Sequence, residues 1–228
     1  MFSITAYEGI LKLIKDAGYS FNSDLNCLEN NQCFLRHDID FSIDMALEIA
    51  KFEHSISINS TFFFMLSSNM YNLLSYDSIT KVQEIRSLGH TISLHFDPDC
   101  YEDFIEGFEI EKKVFEDVFN ISIDVVSIHR PGKFLNNNDI KLPGVLHTYE
   151  SKFFKQIAYV SDSAGIDPLK RIIDFLEGVT NEPLQLLTHP IWWCEKSEST
   201  TSTLNKWFEQ RNKFIKNEIT LNCRTYKG

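Results

Sequence analysis

Residues 33–40, CFLRHDID, join a short apolar run to a pair of carboxylates. The run has the length of a buried strand, and Ser42 is a suitable N-cap for the helix whose apolar positions follow from Ile43. A buried strand followed directly by a helix begins a β–α unit. Residues two apart in a strand point to the same side, so we expect Asp38 and Asp40 to share one face.

The same alternation of extended and helical patterns runs through the rest of the chain. Further strands are predicted at residues 57–64, 90–95, 124–128, 145–148, 157–160 and 184–187. Units repeated at intervals of roughly 30 residues favour a mostly parallel sheet with helices outside it. No Gly/Ser/Pro linker interrupts the pattern, so we predict one α/β domain over residues 1–228. The pattern does not separate an open sheet from a barrel.

Composition and charge restrict the class of protein. The chain has 228 residues, of which 43% are hydrophobic and 24% charged, as expected of a soluble globular protein with a full core. A net charge of -10 argues against a nucleic-acid partner, which requires a basic surface. We expect no membrane span, because no run of about 18 uncharged apolar residues occurs. The N-terminus lacks a signal-peptide pattern and the five cysteines form no CxxC pair, so we expect a cytoplasmic protein with reduced thiols.

Polar clusters follow five of the predicted strands. They are RHDID at 36–40, HFDPD at 95–99, HRPG at 129–132, SDS at 161–163 and THPIWW at 188–193. Singly, each has an ordinary explanation as a buried histidine or a helix-capping aspartate. In parallel α/β folds, however, catalytic groups emerge at the carboxyl ends of strands. Five clusters at five such ends indicate a functional site.

The residue types in these clusters favour metal-assisted hydrolysis. Two carboxylates held close together repel, so a cation beside Asp38 and Asp40 is favourable. Asp40 with His95 and another acceptor from the same strand end gives mixed oxygen and nitrogen ligation, which suits zinc or a similar divalent ion with a position left for water. The other carboxylate can act as general base, and His189 as general acid.

The ordered motifs LRHDID, STFFF, GHTISLHFDPD, SIHRPG, YVSDS and LLTHP resemble the polysaccharide deacetylase family, carbohydrate esterase family 4. The resemblance covers about residues 33–193. It implies a distorted (β/α) barrel of about seven mostly parallel strands with outer helices. It also implies a zinc-type divalent ion and removal of N- or O-acetyl groups from sugars. Branches without secretion signals resemble enzymes acting on nucleotide- or lipid-linked sugars during surface-glycan assembly.

By this resemblance, the first strand carries both carboxylate functions. Asp38 matches the catalytic base and Asp40 the metal-binding aspartate of the family. His95 matches the first metal-binding histidine, and His189 the general acid. One departure is Ile39, which separates two acidic residues that are adjacent in the family.

The resemblance assigns further roles with more departures. Arg130 matches the arginine that orients the base, and Asp162 the acidic residue that pairs with that arginine. Asp99 stands where the family has its second metal histidine, so we take it as the third ligand. We assign His129 and Trp193 to substrate binding, since an indole can stack on a sugar ring. The rival candidates for the third ligand are Asp97 and His37.

Two other functions are compatible with the same sequence. One is a catalytically silent relative that binds a glycan. The other is an amidase or deformylase acting on a substrate that is not a polysaccharide, because one fold hosts many substrates. The presence of both carboxylates, Arg130, Asp162 and His189 favours catalysis over silent binding.

Overall fold

The computed structural model describes residues 2–132, 140–178 and 181–227, and in these ranges strands and helices alternate. The strands are β1 (Ser20–Phe21), β2 (Gln32–Ile39), β3 (Thr61–Phe64), β4 (Thr91–Phe96), β5 (Val125–Ile128), β6 (Leu146–His147), β7 (Ala158–Ser161) and β8 (Leu184–Thr188). The helices are α1 (Ile4–Asp16), α2 (Ile43–Ser55), α3 (Tyr76–Ser87), α4 (Phe104–Phe119), α5 (Ser151–Phe154), α6 (Leu169–Glu177), α7 (Pro190–Trp193) and α8 (Thr200–Asn222). Single 3-10 turns lie at Leu25–Cys27, Pro98–Cys100 and Ser163–Gly165.

The strands form one parallel sheet in the order β6-β5-β4-β3-β2-β8-β7, and the short β1 pairs with the start of β2. Every pairing between these strands is parallel. The predicted distorted (β/α) barrel of about seven mostly parallel strands is therefore confirmed. Within the described ranges no pairing joins β6 to β7, so the barrel stays open at that side. The seven longer predictions each overlap a strand, whereas β1 has only two residues and was not predicted.

Side chains that reach across the sheet show that it curls. Arg36 on β2 donates hydrogen bonds to Ser127 on β5 and to Thr148, which follows β6. Gln185 on β8 donates to the backbone oxygens of Thr148 and Phe153. A flat sheet would hold these strands too far apart for such contacts, because neighbouring strands are about 4.8 Å apart. The inner side of the curl is thus filled by polar as well as apolar side chains.

Short polar side chains begin the helices that cover the outer side. Ser42 accepts a hydrogen bond from the backbone N–H of Met45 at 3.3 Å, which confirms the predicted cap of α2. Ser75 caps α3 and Asp103 caps α4 in the same way. Because Ser42 fills the capping role after β2, neither carboxylate of that strand is needed for it.

A buried polar network joins α2 to the outer side of the sheet. Glu53 on α2 is fully buried, accepts from the hydroxyls of Tyr7 and Ser60, and lies 3.0 Å from His37 Nε2. The other ring nitrogen of His37 lies 2.8 Å from the Thr188 hydroxyl. Burial raises the pKa of Glu53, but the neighbouring His37 and the hydrogen bonds lower it below its usual value overall. This network fixes β2 and β8 to each other and to α2.

The last helix, α8, packs on the body through its first turns only. The Trp207 ring meets Phe41 edge-on at 5.3 Å, and Thr203 is buried. Farther along, Phe208 is 58% exposed and Leu221 76% exposed. In the part of the chain that the structure describes, no helix combines the length and the apolar character needed to cross a membrane.

The contact between Gly107 and Tyr101 gives a test of the packing around β4. A β-carbon at Gly107 in α4 would lie 2.2 Å from Cγ of the Tyr101 ring, which is stacked on Phe96. We expect Gly107→Ala to lower the free energy of unfolding in urea by about 1–3 kcal/mol, as overpacking does. Gly9→Ala in α1 is the matched control, because no atom lies within 4 Å of its new methyl group. It should raise stability by up to about 1 kcal/mol. Equal effects of the two substitutions would contradict the described packing.

Candidate metal centre and active site

The carboxyl ends of β2, β4, β5 and β8 surround one cavity of about 560 Å³. Six of the residues predicted from the sequence line it: Asp38, Asp40, His95, His129, Arg130 and His189. The cavity lies where a parallel sheet places its functional groups. The pleat of β2 turns Asp38 inward and His37 outward, and Asp40, just beyond the strand, continues on the inner side. His37 therefore lies in the outer network and is not a ligand candidate.

Three side chains at the floor of this cavity could hold a metal ion: Asp40, His95 and His129, whose ligand atoms lie within 4.8 Å of one another. His95 Nε2 is 3.2 Å and His129 Nε2 4.0 Å from Oδ1 of Asp40. A carboxylate with two imidazoles is a donor set that zinc and similar divalent ions accept. The cluster could hold a divalent ion, and both Asp40 and His95, which the sequence proposed as ligands, belong to it.

The environment of Asp40 fits a bound cation. Its Oδ1 atom is buried and accepts no hydrogen bond from any described residue, although two imidazoles face it. Burial alone would raise the pKa of Asp40, but His95, His189 and His129 together lower it to about 2. The carboxylate is thus ionised, and an ion between it and the two ring nitrogens would satisfy its buried oxygen.

The position of His129 differs from the sequence prediction. We expected this residue to bind substrate and Asp99 to be the third ligand, but the structure brings His129 to the cluster. Its Nδ1 lies 2.8 Å from Oδ2 of Asp97, which leaves Nε2 facing Asp40. A carboxylate behind a ligating histidine is the usual support of a metal site. Asp97 therefore supports a ligand, and Asp99 lies exposed on the 3-10 turn outside the cluster.

Asp38 is buried beside the cluster and has both oxygens engaged. Oδ1 accepts from Nη1 of Arg36 at 3.3 Å, and Oδ2 accepts from the hydroxyl of Ser127 at 2.8 Å. Oδ2 also lies 3.8 Å from Nε2 of His95. Burial lowers the pKa of His95, but Asp38 and Asp40 raise it above its usual value overall. The Asp38 carboxylate therefore lies next to any ion or molecule that binds to Asp40, His95 and His129.

His189 follows β8, the strand that pairs with β2 on the side away from β3. Asp162 binds it by hydrogen bonds. Its Nδ1 lies 2.6 Å from Oδ1 of Asp162, while Oδ2 of Asp162 accepts from the His189 backbone N–H at 2.9 Å. Nε2 of His189 is 3.8 Å from Oδ2 of Asp40. Burial lowers the pKa of His189, but the Asp162 charge raises it to about 9. The ring is therefore oriented with one nitrogen toward Asp162 and the other toward Asp40.

Two further expectations need correction. Asp162 contacts His189 and the Trp193 indole N–H, at 2.6 and 2.7 Å, whereas none of the ion pairs among the described side chains joins it to Arg130. Trp193 was expected to stack on a sugar, but it is 1% exposed and packs against Phe2 and Tyr7. An indole beneath the site can position Asp162 and offers no surface to a substrate.

Residues that the sequence did not single out complete the site. Ser127 and Thr148 both accept hydrogen bonds from Arg36, and Ser127 passes one on to Asp38. Arg36 stood in the first cluster without a role. Serine and threonine occur on so many strands that their presence does not indicate a functional site. Only the curl of the sheet, which brings β5 and the end of β6 over β2, makes them part of the site.

The ligand set predicts how zinc affinity responds to substitution. His129→Ala should weaken zinc binding more than Asp97→Asn, for which we expect a loss of about 10- to 100-fold. Asp99→Asn is the matched control and should leave the affinity unchanged, because Asp99 lies outside the cluster. Isothermal titration of the metal-free protein with zinc measures all three. If zinc affinity falls with Asp99→Asn and not with His129→Ala, the third ligand is Asp99.

Comparisons with known proteins found similar chains among solved structures. No family model matches this chain, and no curated protein matches it. Among solved structures, the chitin deacetylase of the fungal pathogen Colletotrichum lindemuthianum is similar with a TM-score of 0.49 and 14% identity, over 84% of this chain and 86% of that one. The catalytic domain of a peptidoglycan N-acetylglucosamine deacetylase from Eubacterium rectale has a TM-score of 0.47 and 14% identity, over 86% and 90% of the two chains.

A third similar structure is a CE4 family pseudoenzyme from Bacillus anthracis, with a TM-score of 0.41 and 12% identity. The match covers 79% of this chain and 60% of the pseudoenzyme. At these identities and TM-scores the likeness says nothing of the reaction. The solved structures similar to this chain thus include two deacetylases and a pseudoenzyme.

Proposed function

We propose that this protein is a metal-dependent hydrolase that removes an N-acetyl or O-acetyl group from a sugar or sugar conjugate. The observation that carries the proposal is the meeting of a metal-ligand cluster, a buried carboxylate and a half-buried histidine in one cavity. Asp38 lies 3.8 Å from His95, and His189 lies 3.8 Å from Asp40, so both candidates adjoin the cluster. Metal-assisted hydrolysis requires this combination of a base, an acid and a Lewis acid.

Asp40, His95 and His129 would hold the ion, with zinc as the first choice. One carboxylate and two imidazoles leave a coordination position open, as catalytic zinc sites do. When bound, such an ion supplies Lewis acidity to the carbonyl group and to the attacking water. Asp97 keeps His129 in the tautomer that ligates through Nε2, because its carboxylate accepts the Nδ1 proton.

The chain's own residues perform the proton transfers. Asp38 accepts the proton of the attacking water, since its carboxylate adjoins the cluster and is fixed by hydrogen bonds to both oxygens. His189 donates a proton to the leaving nitrogen or oxygen. In the doubly protonated ring, Asp162 accepts the Nδ1 proton, and the Nε2 proton faces the cavity and is the one transferred. Asp162 also stabilises the charged imidazolium that this role requires.

A sugar substrate is supported by the motif resemblance and by the lining of the cavity. Its volume of about 560 Å³ falls within the range of small-molecule sites. Ser67, Ser68 and Asn69 line it together with the cluster and offer hydrogen-bonding groups to sugar hydroxyls. Within this class we propose a nucleotide- or lipid-linked sugar, handled in the cytoplasm during surface-glycan assembly, as the resemblance implies.

The first prediction for this function concerns the base. Asp38→Asn should keep zinc binding and lower the rate of acetate release by about 10²- to 10⁴-fold, because the amide cannot accept a proton. Asp40→Ala should abolish zinc binding and with it turnover. Acetate release is measured across a panel of N-acetylated nucleotide sugars, with Asp117→Asn on the exposed side of α4 as the matched control.

Three results of that experiment would point elsewhere. Full activity in Asp38→Asn would contradict the role of this carboxylate. A zinc-loaded protein that binds the sugars without releasing acetate would be a silent glycan-binding relative. Release of formate or acetate from non-sugar amides alone would identify an amidase or deformylase with the same site.

The second prediction concerns the acid. His189→Gln should slow the hydrolysis of an N-acetylated sugar far more than that of 4-nitrophenyl acetate. An amine must be protonated as it leaves, whereas nitrophenolate leaves without a proton. The ratio of the two losses is obtained from kcat values of the same zinc-loaded preparation. Equal losses on both substrates would mean that His189 acts by binding or folding and not as the acid.

A further inference from the structure

Arg36 lies wholly inside the curl of the sheet, four residues before the candidate metal ligand Asp40. Its side chain is 0% exposed. Nη1, which carries two hydrogens, lies 2.5 Å from the Ser127 hydroxyl, 2.7 Å from the Thr148 hydroxyl and 3.3 Å from Oδ1 of Asp38, so one of its N–H groups is shared between two of these acceptors. One guanidinium thus links β2 with β5 and with the residue that follows β6.

These contacts fix both oxygens of Asp38. Oδ1 is held by the guanidinium directly. Oδ2 is held through Ser127, whose hydroxyl accepts from Arg36 and donates to Asp38 at 2.8 Å. A carboxylate fixed at both oxygens cannot rotate away from the cluster. The orientation of Asp38 therefore depends on Arg36 by two routes.

Stability alone does not explain a guanidinium at this position. Its Nε and Nη2 atoms are buried and have no hydrogen-bond partner among the described residues. Buried unpaired donors destabilise a fold, and well-packed apolar side chains often replace buried ion pairs with no loss of stability. The rings of Tyr149 and Phe63 lie 4.9 and 5.9 Å from the guanidinium carbon. Their attraction for the positive charge offsets part of the cost of burying the unpaired donors. What an apolar residue could not provide is the pair of ties to Asp38.

Arg130, to which the sequence gave this role, is placed differently. It follows β5 with a backbone φ of 48° and lines the cavity wall. Among the ion pairs of the described residues, Asp38 is joined to Arg36 and to His95, and none includes Arg130. Among the described residues Arg130 thus lines the cavity and is not paired with Asp38.

We propose that Arg36 is the positioning residue that holds Asp38 in its working orientation, and that Arg130 contacts the substrate instead. This inference rests on the proposed function, since it concerns the base of that reaction. It predicts that substitutions of the two arginines change different kinetic parameters. Loss of the Arg36 contacts should lower kcat, whereas loss of the Arg130 side chain should raise KM.

The test compares Arg36→Lys with Arg130→Lys in the zinc-loaded protein. A lysine keeps the charge, but its single ammonium group does not reproduce the planar fork of a guanidinium. We expect Arg36→Lys to lower kcat by about 100-fold, as a misplacement near 1 Å does, with KM and zinc affinity unchanged. Arg130→Lys should raise KM and leave kcat and zinc affinity unchanged. The substrates are 4-nitrophenyl acetate and the best N-acetylated nucleotide sugar of the panel.

Ser127→Ala removes only the second tie and keeps the arginine, so it tests the idea even if Arg36→Lys fails to fold. It should lower kcat at constant KM by a smaller factor than Arg36→Lys. Full kcat in both variants would overturn the proposal, as would a loss of kcat confined to Arg130→Lys. An unaltered protein that binds no zinc or hydrolyses no substrate contradicts the proposed function itself, which is a different result.

Discussion

The alternation of side chains along β2 is the constraint on which the rest of the structure depends. Because successive residues of a strand point to opposite faces, Arg36 and Asp38 lie inside the curled sheet, and His37 lies under α2. β2 is also the strand between β3 and β8, so both of its edges are paired, and its residues from Cys33 to Ile39 are buried on both faces. Polar side chains on such a strand must find partners within the protein, and the partners that they find define both the core network and the candidate site.

Each buried charge near β2 is balanced by a different kind of partner. Glu53 is balanced by His37 on the outer side, and Asp38 by Arg36 on the inner side. Among the described residues, the ion-pairing partners of Asp40 are imidazoles, and its Oδ1 is buried without a hydrogen bond from any of these residues. A carboxylate that the protein has paired is suited to a fixed task, whereas one left with imidazoles is suited to a cation. This difference supports the proposed roles of Asp38 as the base and Asp40 as a metal ligand.

The sequence was sufficient for the parts of the site that depend on one strand at a time. Strand ends, the cap at Ser42 and the positions of Asp40 and His95 follow from local periodicity and residue type. The third ligand depends on two strands. The register of β4 with β5 pairs His95 with Ser127 and Phe96 with Ile128, so His129 comes to lie beside Asp97. The 3-10 turn that Asp97 caps carries Asp99 outward. A single sequence motif predicts neither the register of two strands nor the geometry of a turn. It also does not predict that Arg36 contacts residues on the other side of the curled sheet.

The supports of Asp38 and His189 argue for catalysis over passive binding. A glycan can be bound by exposed side chains, and nothing in binding requires a buried carboxylate with both oxygens fixed. Asp162 is fully buried and accepts from the His189 backbone, the His189 ring and the Trp193 indole, so both of its oxygens are engaged in holding one imidazole and the segment that follows β8. Burying such charges is unfavourable unless every partner is present. Such supports beside a metal-ligand cluster fit the proposed proton acceptor and proton donor, which a hydrolase needs in fixed positions and a binding protein does not.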